Sequence, residues 1–424
     1  MNNRFANLFG LSESDAIAVL DKPLDQLTED DSRYIAASQL AFFPSEESIA
    51  ALTRAIENRE PSLDNRIVRR KAIESLGKLK AKSGLATIHG CLTETDDTYT
   101  IENAAWSIGE IGTEDSAILE TLAQLLAVPN QSYRAIIHTI AKLDYHPALD
   151  RIQSFTEYED KTIASAALAT VYRFTGNEEV MESVMEFLFH PNVYTRRLCI
   201  QDLIDTNYYP AIPYISQAPV SLVFRMRGLR MLAEVGLPTG ALQAEVIGPE
   251  LEKALYDHPK DLQLIHAYDD TPAIDRLIQE LYETDFARAY LATKTLIEHS
   301  DRPAVGAALL QTYQDKARED YGAHYHVMKL LGWLRYEPGY DVLAEGLNIS
   351  QPQFQKSRAA AAMALGELGD PKAIELLTPC LESPLWDLRY GAILALDKLG
   401  DRSGFDRLAE DPDWSIRAKI ASLV

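Results

Sequence analysis

Side chains of binding type recur in this chain in pairs four residues apart, among them Arg70/Glu74, Glu102/Trp106, Arg134/His138, Arg197/Gln201, Met226/Arg230, Tyr290/Lys294 and Tyr325/Lys329. On a helix such pairs share a face. Arg grips a planar carboxylate through two parallel hydrogen bonds, and aromatic rings stack on flat conjugated ligands. The chain has a formal net charge of −22 yet still carries Arg70, Arg134, Arg197, Arg225, Arg227 and Arg230. Together with the aromatics, these predict a local cationic groove for a flat ligand bearing carboxylates. The competing reading is that Arg and Glu at these positions pair with adjacent segments and only hold a stack together, as surface ion pairs commonly do.

Other chemistries find no residues. No Gly-rich phosphate loop follows a strand pattern, and Gly-x-Ser-x-Gly is absent. None of the 9 histidines precedes a Glu, which removes the zincin signature and the His-Glu pair of repeat-built iron hydroxylases. His324-Tyr-His326 is the close pair, but residues two apart on a helix point to different sides, so no metal site is expected. Cys91, Cys199 and Cys380 are far apart, and each sits among apolar helical neighbours. They read as small core residues in a reducing compartment rather than as nucleophiles or disulfide partners. The acidic balance argues against nucleic acid and against anionic membranes. The first ten residues lack the apolar core of a secretion signal, and no apolar run reaches the roughly eighteen residues of a membrane span. The expectation is a cytoplasmic chain with no cofactor of its own.

A repeat positions these pairs. Ile108-Gly-Glu-Ile-Gly and Ile140-Ala-Lys-Leu-Asp close two similar helices 32 positions apart. Taking the residue after the last core Leu or Ile as marker, repeats fall at Ala41, Gly77, Gly109, Ala141, Tyr172, Ile204, Ala233, His266, Ile297, Gly332, Gly366 and Asp397, at intervals of 29 to 36 residues. Two short helices and two turns need about this length. Residues one, four and five before each marker are apolar or small and form the core stripe; the pairs fall seven and three before it. The fold class is all-α, a right-handed α-α superhelix of HEAT-like or armadillo type with about twelve helical pairs. The second helix of each pair is expected to line the inner side. Residues 1–32 read as an N-terminal cap and 33–205 as a first lobe. Residues 206–424 continue as a second, after a break at Tyr208-Tyr-Pro-Ala-Ile-Pro.

The unit Glu102-Asn-Ala-Ala-Trp-Ser-Ile-Gly-Glu-Ile-Gly-Thr, followed by Pro129-Asn-Gln-Ser-Tyr-Arg-Ala-Ile-Ile-His-Thr-Ile-Ala-Lys-Leu-Asp-Tyr-His-Pro-Ala-Leu, resembles the CpcE/CpcF clan of phycobilin lyases. The likeness is nearest to the single-chain, phycoerythrin-specific CpeY/MpeY/MpeZ type. Arg358-Ala-Ala-Ala-Ala-Met-Ala-Leu-Gly-Glu-Leu-Gly-Asp is a generic HEAT-like unit and discriminates little. The resemblance implies an enzyme that binds a linear tetrapyrrole such as phycoerythrobilin and joins it by a thioether to a cysteine of an apo-phycoerythrin subunit. Some members also isomerise the bilin to phycourobilin. For such a substrate the candidates are Arg70, Arg134, Arg197 and Arg230 for the propionates, Glu102 or Asp144 for the pyrrole N–H groups, and Trp106 and Tyr133 for the conjugated rings. The proton chemistry would fall to His138, Asp144 and Tyr133, among which the sequence does not choose. A non-catalytic chaperone or adaptor for phycobiliproteins, and a general protein-binding scaffold, stay open as alternatives.

Overall fold

The computed structural model describes residues 10–93 and 97–423, so most of the N-terminal stretch read for a secretion signal lies outside it. All regular structure among the described residues is helical, and none of it is strand. No helix there is long and apolar enough to cross a membrane. The chain forms two compact units, Met1–Ser183 and Val184–Val424. Helix Val193–Asp205, which the sequence reading put at the end of the first lobe, belongs to the second unit.

In the first unit the second helices of the pairs are α1 (Arg33–Leu40), α2 (Leu63–Leu79), α3 (Thr98–Ile111), α4 (Tyr133–Lys142) and α5 (Lys161–Thr175). Side chains of Ser62, Asp97 and Asp160 accept hydrogen bonds from backbone N–H groups at the starts of α2, α3 and α5. The expected core stripe is where it should be. Ala72, Ile73 and Leu76 on α2, and Ala104, Ala105 and Ile108 on α3, are fully buried in one cluster that runs from Ala16 to Val171.

A polar ladder sits beside that stripe. The Ser75 hydroxyl donates to the Ala37 carbonyl (2.7 Å), Ser107 to Ile73 (2.8 Å) and Thr139 to Ala105 (3.0 Å). Each rung joins the position two before one marker to the carbonyl four before the previous marker. Four of this unit's five markers are Gly or Ala, and at Gly77 the helices meet: a Cβ there would stand 2.9 Å from the Ser107 Cα.

The second unit holds α6 (Val193–Asp205), α7 (Leu222–Thr239), α8 (Ala244–Tyr256), α9 (Phe286–Glu298), α10 (Tyr321–Trp333), α11 (Gln355–Leu368), α12 (Trp386–Leu399) and α13 (Trp414–Leu423). One marker fails here. His266 lies in the non-helical stretch 262–273, because Asp257 takes a left-handed φ of 56° at the end of α8 and prolines follow on either side. Leu262 and Leu264 pack on Phe286 and Tyr290 instead of forming a helix face.

Helix α8 and its cap touch nearly every second helix of the unit. Asp257 meets Arg225 of α7 and Tyr290 of α9, and Lys329 of α10 reaches the last carbonyls of α8. Tyr256 bonds Glu367 of α11, while Glu252 meets Tyr390 of α12 and Lys419 of α13. One helix can touch α9 through α13 in succession only if they curve round it. The inner side of this unit is therefore filled by its own chain.

Candidate functional site

In the first unit three of the residues seven before a marker have a common task. Arg70 Nε and Nη2 hold both carboxylate oxygens of Asp97 at 3.1 and 2.6 Å, and Asp97 caps α3. Burial would raise Asp97, yet hydrogen bonds from Arg70 and Thr100 keep it below the usual carboxylate range. Glu102 accepts from the Ser132 hydroxyl at 2.8 Å, just ahead of α4. Arg134 Nη1 donates to the Thr162 carbonyl in the first turn of α5. Each side chain ties its helix to the start of the next, so these three carry the stacking role weighed in the sequence.

The open face lies nearby, and part of it falls one turn earlier on the same helices. Tyr99 is 63% exposed and Trp106, seven residues on along α3, is 38% exposed. A separation of seven brings both to one side of the helix, with Glu102 and Asn103 between them. The Arg70 guanidinium lies 4.9 Å from the Tyr99 ring centre, and the Lys71 ammonium lies 4.9 Å from that of Tyr34 on α1. Lys71 and Lys78 both pair with Glu74; burial would raise that carboxyl, but the two ammonium groups hold it below its ordinary value. On α2, Leu63, Arg66 and Ile67 are exposed. Arg66 makes no ion pair among the described residues. The result is a platform across α1, α2 and α3, made of open rings with cations seated against them and one uncommitted guanidinium at its edge. It suits a flat conjugated molecule with acidic arms.

The proposed proton carriers do not form a cluster. Tyr133 opens α4 and is buried, its hydroxyl bound to the Val128 carbonyl at 2.9 Å and its ring packed on Phe155 at 4.8 Å. Asp144 is an exposed residue in the turn beyond the other end of α4, 3.5 Å from His146. At 1.5 Å per residue the two backbones are about 16 Å apart along the axis. His138 lies between them, half-buried, three before its marker as Trp106 is before its own. Of the three, His138 alone shares the register of the open platform.

Arg197 and Arg230 belong to the second unit and are occupied there. Arg197 Nη2 donates to the Thr284 carbonyl at 2.9 Å. Arg230 holds Asp413 through bonds of 2.8 and 3.4 Å with its guanidinium 4.2 Å from the centre of the Trp386 ring. The rest of the strip in this unit closes on α8. The carboxylate of Asp257 accepts from Tyr290 (2.8 Å), Tyr325 (2.5 Å) and Arg225, all of them fully buried. Lys329 Nζ donates to the Leu255 and Tyr256 carbonyls at 3.0 and 2.9 Å, a cation at a helix C-terminus. Burial pushes Lys329 down to about 7.

Sequence reasoning passed over Tyr34, Tyr99, Arg66 and Asp257. The first two carried a signal, since Tyr34 falls seven before Ala41 and Tyr99 ten before Gly109, in register with Ile67. Asp257 carried none, because it stands where the repeat is interrupted. Among the described residues no group of three or more His, Cys, Asp or Glu is placed to hold a metal ion. The three cysteines are buried thiols, and burial pushes the Cys91 and Cys380 thiols up, away from nucleophilic character.

The family of HEAT repeats matches residues 62–140 and 348–423. The uncharacterized phycocyanin operon protein Y of Pseudanabaena tenuis is 54% identical, over 99% of this chain and 99% of its own. The bilin biosynthesis protein CpeY of a Synechococcus species is 31% identical over 88% of this chain and 91% of its own. The phycocyanobilin lyase subunit alpha of Synechococcus elongatus is 29% identical over 50% of this chain and 84% of its own. Among solved structures, the complex of CpcE and CpcF of phycocyanin lyase from a Nostoc species aligns over 57% of this chain and 95% of that one, with 24% identity and a TM-score of 0.49.

Proposed function

This chain belongs to the HEAT-repeat bilin lyases of the CpeY and CpcE type, and from that membership we propose that it attaches a linear tetrapyrrole to a cysteine of a phycobiliprotein subunit. The observation that carries the reading is the match along nearly the whole chain to a protein named for bilin biosynthesis. The platform on α1 to α3 supplies a physical means. The bilin lies against Tyr99 and Trp106, Arg66 takes a propionate, and Arg70 and Lys71 add positive charge behind the rings.

In the proposed reaction the acceptor's cysteine sulfur adds to the ring A ethylidene group. A C–S bond forms as the C=C bond is lost, and one proton goes to the bilin, so the step is an addition with no oxidant or reductant. The nucleophile comes from the acceptor, in keeping with the buried thiols here. We assign His138 as the proton carrier, because Tyr133 is committed to the Val128 carbonyl and Asp144 stands in a remote turn. His138→Gln is expected to slow transfer more than it weakens bilin binding; equal losses would remove the proton role.

Phycoerythrobilin and a phycoerythrin subunit are the proposed substrates, with isomerisation to phycourobilin as a further activity. A second substrate pair is favoured by the names of two relatives: phycocyanobilin as the bilin and, from a phycocyanin operon, a phycocyanin subunit as the acceptor. Incubation of the chain with phycoerythrobilin or phycocyanobilin and each apo-subunit tests the proposal. A shifted visible absorbance marks bilin binding, and colour that survives acid denaturation marks a thioether. A product absorbing in the phycourobilin band marks isomerisation. Bilin binding without covalent colour means a chaperone, and no absorbance change at all means a scaffold.

A further inference from the structure

A second open face lies in the second unit, on α6 and α7. Along α7 the residues Val223, Arg227, Met231 and Val235 recur every four positions, and all four are exposed. Single apolar residues on a surface need no account, but these make one line about 18 Å long at 1.5 Å per residue. On the neighbouring helix α6, Tyr194 is 65% exposed at the position that Val223 holds on α7, ten before the marker. The two helices run close together, since a Cβ on Gly228 would lie 3.0 Å from Ile200. Their exposed ridges therefore flank a shallow seam.

We infer that this seam is where the acceptor protein docks, through an amphipathic helix of about three turns that carries one carboxylate within its apolar face. Three observations select that occupant. The stripe runs along one helix for about three turns and, with no strand among the described residues to pair with, it suits a partner helix laid along it with its apolar face inward. Arg227 is exposed in the middle of the stripe and makes no ion pair among the described residues. A guanidinium with apolar neighbours before and after it is complemented by a single carboxylate whose water is displaced on docking. The chain's net charge of −22 repels a helix that is acidic throughout, so the carboxylate sits in a helix otherwise neutral or basic.

This inference rests on the proposed action on phycobiliprotein subunits, and the experiment separates the two. Purified apo-subunits of phycocyanin and phycoerythrin are titrated against the wild-type chain and against Arg227→Glu, Met231→Asp and Arg227→Lys. Bilin absorbance shift and far-UV circular dichroism are recorded for each protein. The expected result is a loss of affinity of about tenfold or more for Arg227→Glu and Met231→Asp, as for a central interface residue. Arg227→Lys should retain most of the affinity, and all variants should keep wild-type helicity and bilin shift. Wild-type affinity in both disruptive variants overturns the docking surface and leaves the lyase reading intact. A wild-type chain that binds neither apo-subunit overturns both.

Discussion

Tyr99, Trp106 and Arg134 stand close together in sequence, and the structure gives them different work. The first two are open rings on one side of α3, whereas Arg134 holds the Thr162 carbonyl. Tyr99→Ala and Trp106→Ala should each weaken bilin binding by roughly five- to tenfold, the worth of one stacked ring, with unchanged helicity. Arg134→Ala should lower thermal stability and leave bilin affinity close to wild type; the reverse pattern would return Arg134 to the binding set. The buried imidazoles of α10 make a separate prediction. Burial pushes His324 down to about 4 and His326 to about 3, from an ordinary 6.5. The unfolded chain then takes up protons below about pH 6.5 that the folded chain refuses, so stability falls as pH drops through that window. The slope is about 1.4 kcal/mol per pH unit for each imidazole. Urea titrations at pH 7 and pH 5 should show a shallower loss for His326→Phe by about one proton's worth. An unchanged pH dependence would mean that His326 is not kept neutral.

For the helices, much was legible from spacing alone. The buried stripe one, four and five before each marker follows from the period of the α-helix, and Ala72, Ile73 and Leu76 occupy it without exposure. The hydroxyl ladder and the partners of the paired residues were not legible, because each joins positions in two different repeats. Nor did the sequence rank the marker glycines by crowding. Gly109 has Thr139 atoms at 3.4 Å, which a small shift accommodates, while a Cβ on Gly332 would stand 2.6 Å from the Ala364 Cα. Gly332→Ala should therefore cost about 1–3 kcal/mol by overpacking. Gly109→Ala should cost much less, and equal melting temperatures for the two would contradict the packing described.

For the molecule as a whole, sequence indicated the superhelix and the family but not how the second unit fills its own interior. Asp257 draws partners from 32, 33 and 68 residues away, and no local pattern announces such a residue. Removing it strands the fully buried Arg225 guanidinium, so Asp257→Ala should destabilise the second unit by about 3–5 kcal/mol. A fall in the denaturant midpoint checks this. Bilin binding measured well below the unfolding transition should persist if the platform of the first unit is the pigment site.

That placement is tested most directly by one comparison. Wild type and the Tyr99→Ala/Trp106→Ala double variant are incubated with bilin and apo-subunit under anaerobic, reducing conditions, and the subunit's absorbance is read after acid denaturation. The account predicts acid-stable colour with the wild type and a loss of most of it with the double variant. Equal colour from both proteins, or none from the wild type with either subunit, would contradict it.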